Sequence, residues 1–220
     1  MRPILKKTAD GSFTYYLPEL DEQYHSMNGA VTESRHVFLD MGFEYHHAQN
    51  PVILEVGFGT GLNALVTAIR AEVSGRKVFY ITMEKYPLEA QFIKDLNYAH
   101  LFPEGGIELF AAIHECNWEE RVKVTPFFEI YKLNADFITF NGELPQNYDI
   151  IYFDAFGPDK QPEMWTQENL TRLYRDLNPE GVFVTYSAKG EVRRRLQTAG
   201  FRTERLPGPP GKKEMLRGIK

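Results

Sequence analysis

The chain of 220 residues has a single cysteine, Cys116. That excludes an internal disulfide and any multi-cysteine metal or iron–sulfur cage. It has no apolar run near the ~20 residues that a membrane helix needs. Residues 1–12 lack the apolar stretch and small-residue cleavage site of a secretory leader. The expected location is therefore the reducing cytoplasm, without a membrane contact. An excess of basic charge is missing too, with 25 Lys and Arg against 30 Asp and Glu, a net −5. That balance argues against a general nucleic-acid binder. No internal repeat and no low-complexity block is present. What remains is a chain of globular composition, 43% hydrophobic, long enough for one sizeable core.

Charge is unevenly spread. From Gly181 to Lys220 ten basic residues face three acids, a net +7, whereas residues 1–180 carry −12. Such an end suits either a solvated surface or one anionic partner docked on one face.

Element signals begin with a hairpin, residues 4–8 and 12–17, around Asp10-Gly11. A helical stretch around Glu33–Met41 follows. Strands are expected at Val52–Val56, Lys77–Met83, Phe127–Leu133, Tyr148–Phe153 and Gly181–Ser187. Helices are expected at Leu62–Glu72, Pro87–Leu96, about Glu163–Leu177 and Glu191–Ala199. Phe201–Leu206 and Glu214–Ile219 read as a closing antiparallel pair. Residues 97–126 read as helix and loop without clear bounds. The strand–helix alternation indicates an α/β fold, a Rossmann-like, mostly parallel sheet over residues 51–220. Residues 1–50 read as an extension packed on that domain.

Gly57, Gly59 and Gly61 stand between a strand and a helix, where tight turning and close ligand approach need glycine. The spacing lacks the third glycine of the dinucleotide fingerprint. Glu55, two residues earlier, would repel a pyrophosphate but suit a cationic ligand. S-adenosylmethionine has a sulfonium and an amino group. Glu84, ending the second strand, is placed for ribose hydroxyls, and Asp136, after the third, for an adenine amino group. Asp154 ends the fourth strand, where open sheets bind ligands. Followed by Ala155-Phe156-Gly157-Pro158, it is a variant of the acid–proline turn that N-methylating enzymes use to orient an amine. Asp154 is the catalytic candidate, helping to deprotonate or orient that amine.

These residues resemble a family. Glu55-Val-Gly-Phe-Gly-Thr-Gly-Leu-Asn63, Glu84-Lys-Tyr-Pro-Leu88 and Asp154-Ala-Phe-Gly-Pro-Asp-Lys-Gln-Pro-Glu-Met-Trp-Thr166 are similar to the methyltransferase half of the bifunctional tRNA wobble-uridine enzymes. Val192-Arg-Arg-Arg-Leu196, Ala199-Gly-Phe201, Gly211-Lys-Lys-Glu-Met-Leu216 and Glu33-Ser-Arg-His-Val-Phe38 fit the same family. The resemblance implies a class I S-adenosylmethionine-dependent methyltransferase. Its reaction would be methyl transfer to the amino group of 5-aminomethyl-2-thiouridine at the tRNA wobble position. Asn63 joins the cofactor residues on this resemblance. Glu33, Ser34 and Arg35 would line the cofactor or uridine pocket. Phe156, Lys160 and Trp165 would cover the site, with Trp165 as a stacking surface or as core. Arg193, Arg194, Arg195, Lys212 and Lys213 would hold anticodon phosphates or form an exposed face. No second glycine fingerprint follows, so a stand-alone methyltransferase is expected, with a separate flavin-dependent oxidoreductase as a possible source of the amine.

Other readings stay open. A small-molecule amine N-methyltransferase or an aminopropyl transferase would use the same glycine turn. A non-catalytic RNA-binding module would keep the fold alone. A nicotinamide dehydrogenase is disfavoured by Glu55 and the glycine spacing. His46-His47 has no third ligand nearby in the sequence and is not expected to hold a metal.

Overall fold

The computed structural model describes residues 3–103 and 105–220. The expected hairpin is present as β1 (Ile4–Lys7) and β2 (Phe13–Leu17), with Ile4 opposite Tyr16. A short third strand, β3 (Glu22–Gln23), adds to β2. Asp10 organises the turn, because its carboxylate accepts from the Ser12 amide at 3.0 Å and from the Thr32 amide at 2.9 Å. Those hydrogen bonds hold its pKa well below the usual carboxylate range despite burial. Thr32 lies in α1 (Ala30–Ser34), which widens into a π-type helix over Arg35–Phe43. Gly42 lets that helix approach the sheet. A Cβ there would lie 3.0 Å from Val184 Cγ2 and 3.1 Å from Tyr152 Cε1.

The rest of the chain then alternates strand and helix. Its elements are β4 (Val52–Val56), α2 (Leu62–Ser74), β5 (Val78–Met83), α3 (Ala90–Ile93), α4 (Gly106–Glu115), β6 (Arg121–Lys123) and β7 (Phe128–Leu133). After these come β8 (Tyr148–Phe153), α5 (Gln167–Asp176), β9 (Leu177–Thr185), α6 (Gly190–Ala199), β10 (Arg202–Pro207) and β11 (Glu214–Ile219). The sheet order is β10-β11-β9-β8-β4-β5-β7-β6. The five central strands run parallel, and β6, β11 and β10 run antiparallel to their neighbours.

Strand alternation separates two cores. Ile53, Tyr80, Ile130, Tyr152 and Val184 meet α2, α4 and the π-type helix. Leu54, Val56, Ile81, Phe153 and Phe183 meet α5 and α6.

Three expectations change. Pro87–Leu96 forms one helical turn, α3, because the preceding residues line a cavity and Glu84 Oε1 holds the Tyr86 amide at 2.8 Å in a turn. The helix expected over Glu163–Leu177 divides at Thr166. A 3₁₀ turn, Pro162–Trp165, precedes it, and the Thr166 hydroxyl then caps α5 by accepting from Asn169 N. Residues 97–126 hold α4 and the polar edge strand β6, whose three residues carry no alternation to read.

Candidate active site

The chain runs outward from β4 to β5 and then β7, and returns to the other side of β4 as β8. The switch point therefore lies between the carboxyl ends of β4 and β8, where ligands bind in such sheets. Backbone bonds carry the sheet one residue further. Gly57 N donates to Met83 O at 3.0 Å, Glu84 N to Leu133 O at 3.0 Å and Asp154 N to Val56 O at 3.0 Å. The glycine turn and both acids are thus fixed by the sheet itself.

Gly57 and Gly59 have φ of +96° and +50°. A Cβ on Gly57 would lie 2.8 Å from the Asp154 carbonyl oxygen, and one on Gly59 2.9 Å from the Tyr24 ring. The turn can follow this path with glycine because no side chain fits. Gly59 N donates to Glu84 Oε2 at 3.0 Å. Gly61 is the N-cap of α2 and faces the ring of His114 behind the turn. Burial pushes His114 down to about 4, so it is neutral there.

A cavity of about 570 Å³ opens over these strand ends. This is the size of a small-molecule site. Gly57, Gly59, Glu84, Asp136, Asp154 and Phe156 all line it, as expected from the sequence. Glu84 retains accepting capacity, since each carboxylate oxygen takes one backbone hydrogen bond. Asp136 is more committed, paired with Lys85 at 2.8 Å and accepting from Ile138 N at 2.9 Å, which lowers its pKa.

Asp154 belongs to a chain of polar groups. Its Oδ2 accepts from Asn63 Nδ2 at 2.8 Å, and Asn63 Oδ1 accepts from Ser34 Oγ at 2.5 Å. Burial, then the nearby Glu33 and Glu55, push its pKa well above the ordinary carboxyl range. Asn63 and Ser34 are thus second partners behind Asp154.

Other expected site residues sit elsewhere. Glu55 is fully buried behind the glycine turn and accepts from Thr82 Oγ1 at 2.7 Å. It points to the α2 side with Ile53 because β4 alternates, and burial pushes its pKa up to about 8. It does not line the cavity, contrary to the expectation of a direct ligand contact. Trp165 is wholly buried, edge-on to Phe153 at 4.7 Å, and its Nε1 donates to Phe156 O at 2.8 Å. It supports the wall from within and offers no stacking surface. Arg35 is exposed over Phe102 at 4.9 Å, away from the cavity lining. Lys160 pairs with Asp21 at 3.5 Å. Of the basic end, Lys189, Arg195, Arg202, Arg205, Lys212 and Arg217 are each paired with an acid.

The roof of the cavity was not legible. Leu17, Leu20, Tyr24 and His25 come from the N-terminal sheet and the segment after it. Tyr24 packs on Phe156 with centroids 5.6 Å apart, and His25 Nε2 lies 2.7 Å from Thr60 Oγ1. Burial brings His25 down to about 4, so it is neutral. No spacing rule links residue 24 to residue 59, and the aromatic content around Tyr15 and Tyr24 is the one hint.

Comparison with known proteins bears on this geometry. A family model described as an S-adenosyl-L-methionine-dependent methyltransferase matches residues 118–220. The tRNA 5-methylaminomethyl-2-thiouridine biosynthesis bifunctional protein MnmC of Pseudomonas entomophila is 32% identical, over 91% of this chain and 33% of that protein. The MnmC protein of Haemophilus ducreyi is also 32% identical, over 92% of this chain and 33% of its own. The chain is similar to the MnmC proteins over nearly all of its own length. It spans about one third of their length. The crystal structure of MnmC2 from Aquifex aeolicus superposes with a TM-score of 0.82 at 26% identity, covering 99% of this chain and 69% of that one. The shared architecture is the Rossmann-like S-adenosylmethionine-dependent methyltransferase fold, and the part held in common with MnmC contains both the glycine turn and Asp154.

Proposed function

We propose that this protein is an S-adenosylmethionine-dependent N-methyltransferase of tRNA. Its substrate would be the 5-aminomethyl group of 5-aminomethyl-2-thiouridine at the wobble position, and its product 5-methylaminomethyl-2-thiouridine. The observation that carries the reading is the grouping of Gly57, Gly59, Glu84 and Asp154 around one cavity at the switch point, in a chain similar to MnmC.

The residues fit that cofactor. The cavity is large enough, the glycines leave a cradle that a Cβ would fill, and Glu84 has lone pairs to offer two hydroxyls. Asp136 can take an adenine amino group with the lone pairs left by Lys85 and Ile138. S-adenosylmethionine supplies a methyl group on a sulfonium, which is already a good leaving group. The protein's share is then to bring the amine into line and to hold it unprotonated. Asp154 accepts the amine's N–H or proton, and Asn63 and Ser34 fix the carboxylate's direction. Tyr24 and Phe156 form an apolar wall over the same point. Arg193, Arg194 and Lys213 remain to meet anticodon phosphates. A flavin-dependent oxidoreductase, in the same or another polypeptide, would supply the aminomethyl group. Work on tRNA would place the protein in the cytoplasm.

The cavity rim favours one rival. Glu84, Glu89, Asp136 and Glu163 line the cavity beside a single lysine, Lys85, a setting that also suits a small free amine. Labelled S-adenosylmethionine, offered with tRNA bearing the aminomethyl group and with tRNA unmodified at position 34, separates the two. Label in 5-methylaminomethyl-2-thiouridine, absent from the unmodified control, is expected. Cofactor binding without label in tRNA would sink the tRNA reading. In Asp154→Ala, transfer should fall by about 10²-fold or more while cofactor affinity stays within a few-fold.

A further inference from the structure

Asp154, which lines the cavity, feels the charges of Glu33, Glu55 and Lys212 behind it. Asp154 holds the Asn63 amide, Glu55 is buried behind the glycine turn, and Glu33 is buried at the start of the helix that carries Ser34. Lys212 comes from the turn between β10 and β11. Its Nζ lies 2.7 Å from Glu33 Oε1 and 3.9 Å from the centre of the Tyr186 ring. Tyr186 in turn donates its hydroxyl to Ala155 O at 2.9 Å, next to Asp154. The second oxygen of Glu33 accepts from Ser26 N at 2.8 Å, so this carboxylate is fixed from both sides.

The turn that delivers Lys212 is fastened to the N-terminal segment. His36 Nε2 lies 2.8 Å from Pro207 O. At Gly211, with φ +85°, a Cβ would lie 2.0 Å from Asn28 Nδ2. The neighbours of Lys212 therefore leave its backbone little freedom. A side chain held by a buried acid and an aromatic face is not available to a phosphate in the way an exposed lysine is.

The titratable groups whose charge reaches Asp154 come from several elements. They are Glu33 from α1, Glu55 and Tyr80 from the sheet, Tyr186 after β9, and Lys212. His25, near Glu33 and Lys212, is neutral, and burial keeps both tyrosines protonated. Lys212 is the one cation among them.

We infer that Lys212 is a positioning residue for Asp154, neutralising the buried Glu33 that would otherwise oppose ionisation of Asp154. The inference rests on the amine-methylation reading, because that reaction needs Asp154 as an acceptor. It gives the C-terminal hairpin a part in the chemistry in place of phosphate binding by Lys212.

The test is the titration of Asp154, followed by carbon NMR of ¹³C-labelled aspartate in the full chain, without cofactor or tRNA. Asp154→Asn assigns the signal. In Lys212→Met the midpoint should rise by about one pH unit. Lys212→Arg should return it to the wild-type value, and so should the double variant Glu33→Gln with Lys212→Met, which replaces a neutral pair by neutral groups. Lys123→Met, on the far sheet edge, should leave it unmoved. In methyl transfer, the acid limb of kcat/KM should move up by the same amount in Lys212→Met and return in Lys212→Arg. An unmoved Asp154 midpoint in Lys212→Met would overturn the inference. So would a higher KM for tRNA and a shallower salt dependence with no change in the pH profile, since those mark a phosphate ligand. A wild-type protein that titrates as expected yet transfers no methyl group would leave the electrostatic assignment standing and remove the reaction.

Discussion

At the scale of single residues, Glu55 is read from the sequence as an acid for a cationic ligand, yet it sits behind the cavity lining. A carboxylate in the run Val-Ile-Leu-Glu-Val suggests a ligand, yet alternation along β4 sends it to the same side as Ile53. Its folded pKa of about 8 stands above its ordinary 4.5. The native state therefore binds a proton that the unfolded chain releases, and this group's contribution to stability is lost as pH rises from about 4.5 through about 8. Glu55→Gln keeps the shape without the ionisation. Its melting temperature should match the wild type near pH 5 and exceed it near pH 9 in a calorimetric series. A lower value at both would mean that the carboxyl itself is needed. Trp165 is a second case. The motif around it leaves a stacking surface and core packing both open, and its ring completes the core against Phe153. Trp165→Ala should cost about 3–5 kcal/mol in denaturant unfolding. Loss of transfer without loss of stability would contradict its buried role.

At the scale of elements, the glycine turn was the most legible feature. A strand, three spaced glycines and a helix leave few ways to fold, and the turn forms where expected. Gly57 is the strictest position, with positive φ and the Asp154 carbonyl in the space of a Cβ. Gly57→Ala should destabilise the fold by about 1–3 kcal/mol and weaken S-adenosylmethionine binding at least ~10-fold by calorimetry. Unchanged affinity would show that the ligand does not use the cradle. Elements that depend on distant partners were read less well. α3 shrinks because residues 84–89 serve the cavity rim, and the following Asn97 is taken by the hairpin, accepting from Phe13 N at 2.8 Å and donating to Gly11 O at 2.9 Å. Local propensity favours a helix there, and tertiary hydrogen bonds override it.

At the scale of the molecule, the charge split of the sequence is real, and most basic residues of the C-terminal stretch sit in ion pairs. Six of the ten basic residues after Gly181 meet an acid, and Lys220 caps backbone carbonyls of residues 174, 175 and 177. Arg193, Arg194 and Lys213 are in no ion pair among the described residues. With about three phosphate contacts, the logarithm of tRNA affinity should fall with the logarithm of salt at a slope on the order of −2 to −3. Filter binding from low to moderate salt measures it. A slope several units steeper would mean that the internal pairs open on binding. No helix among the described residues is long and apolar enough to cross a membrane.

The sequence by itself determined the parallel α/β order, the glycine turn, and the strand-end acids Glu84, Asp136 and Asp154, because these follow from short-range periodicity and from the rule that open sheets bind at strand ends. The tertiary structure alone decided which acids face the cavity, that Tyr24 and His25 roof it, and that Lys212 meets Glu33. Those facts join residues far apart in the chain, and long-range contacts are set by how the whole core packs, a quantity that no local pattern encodes.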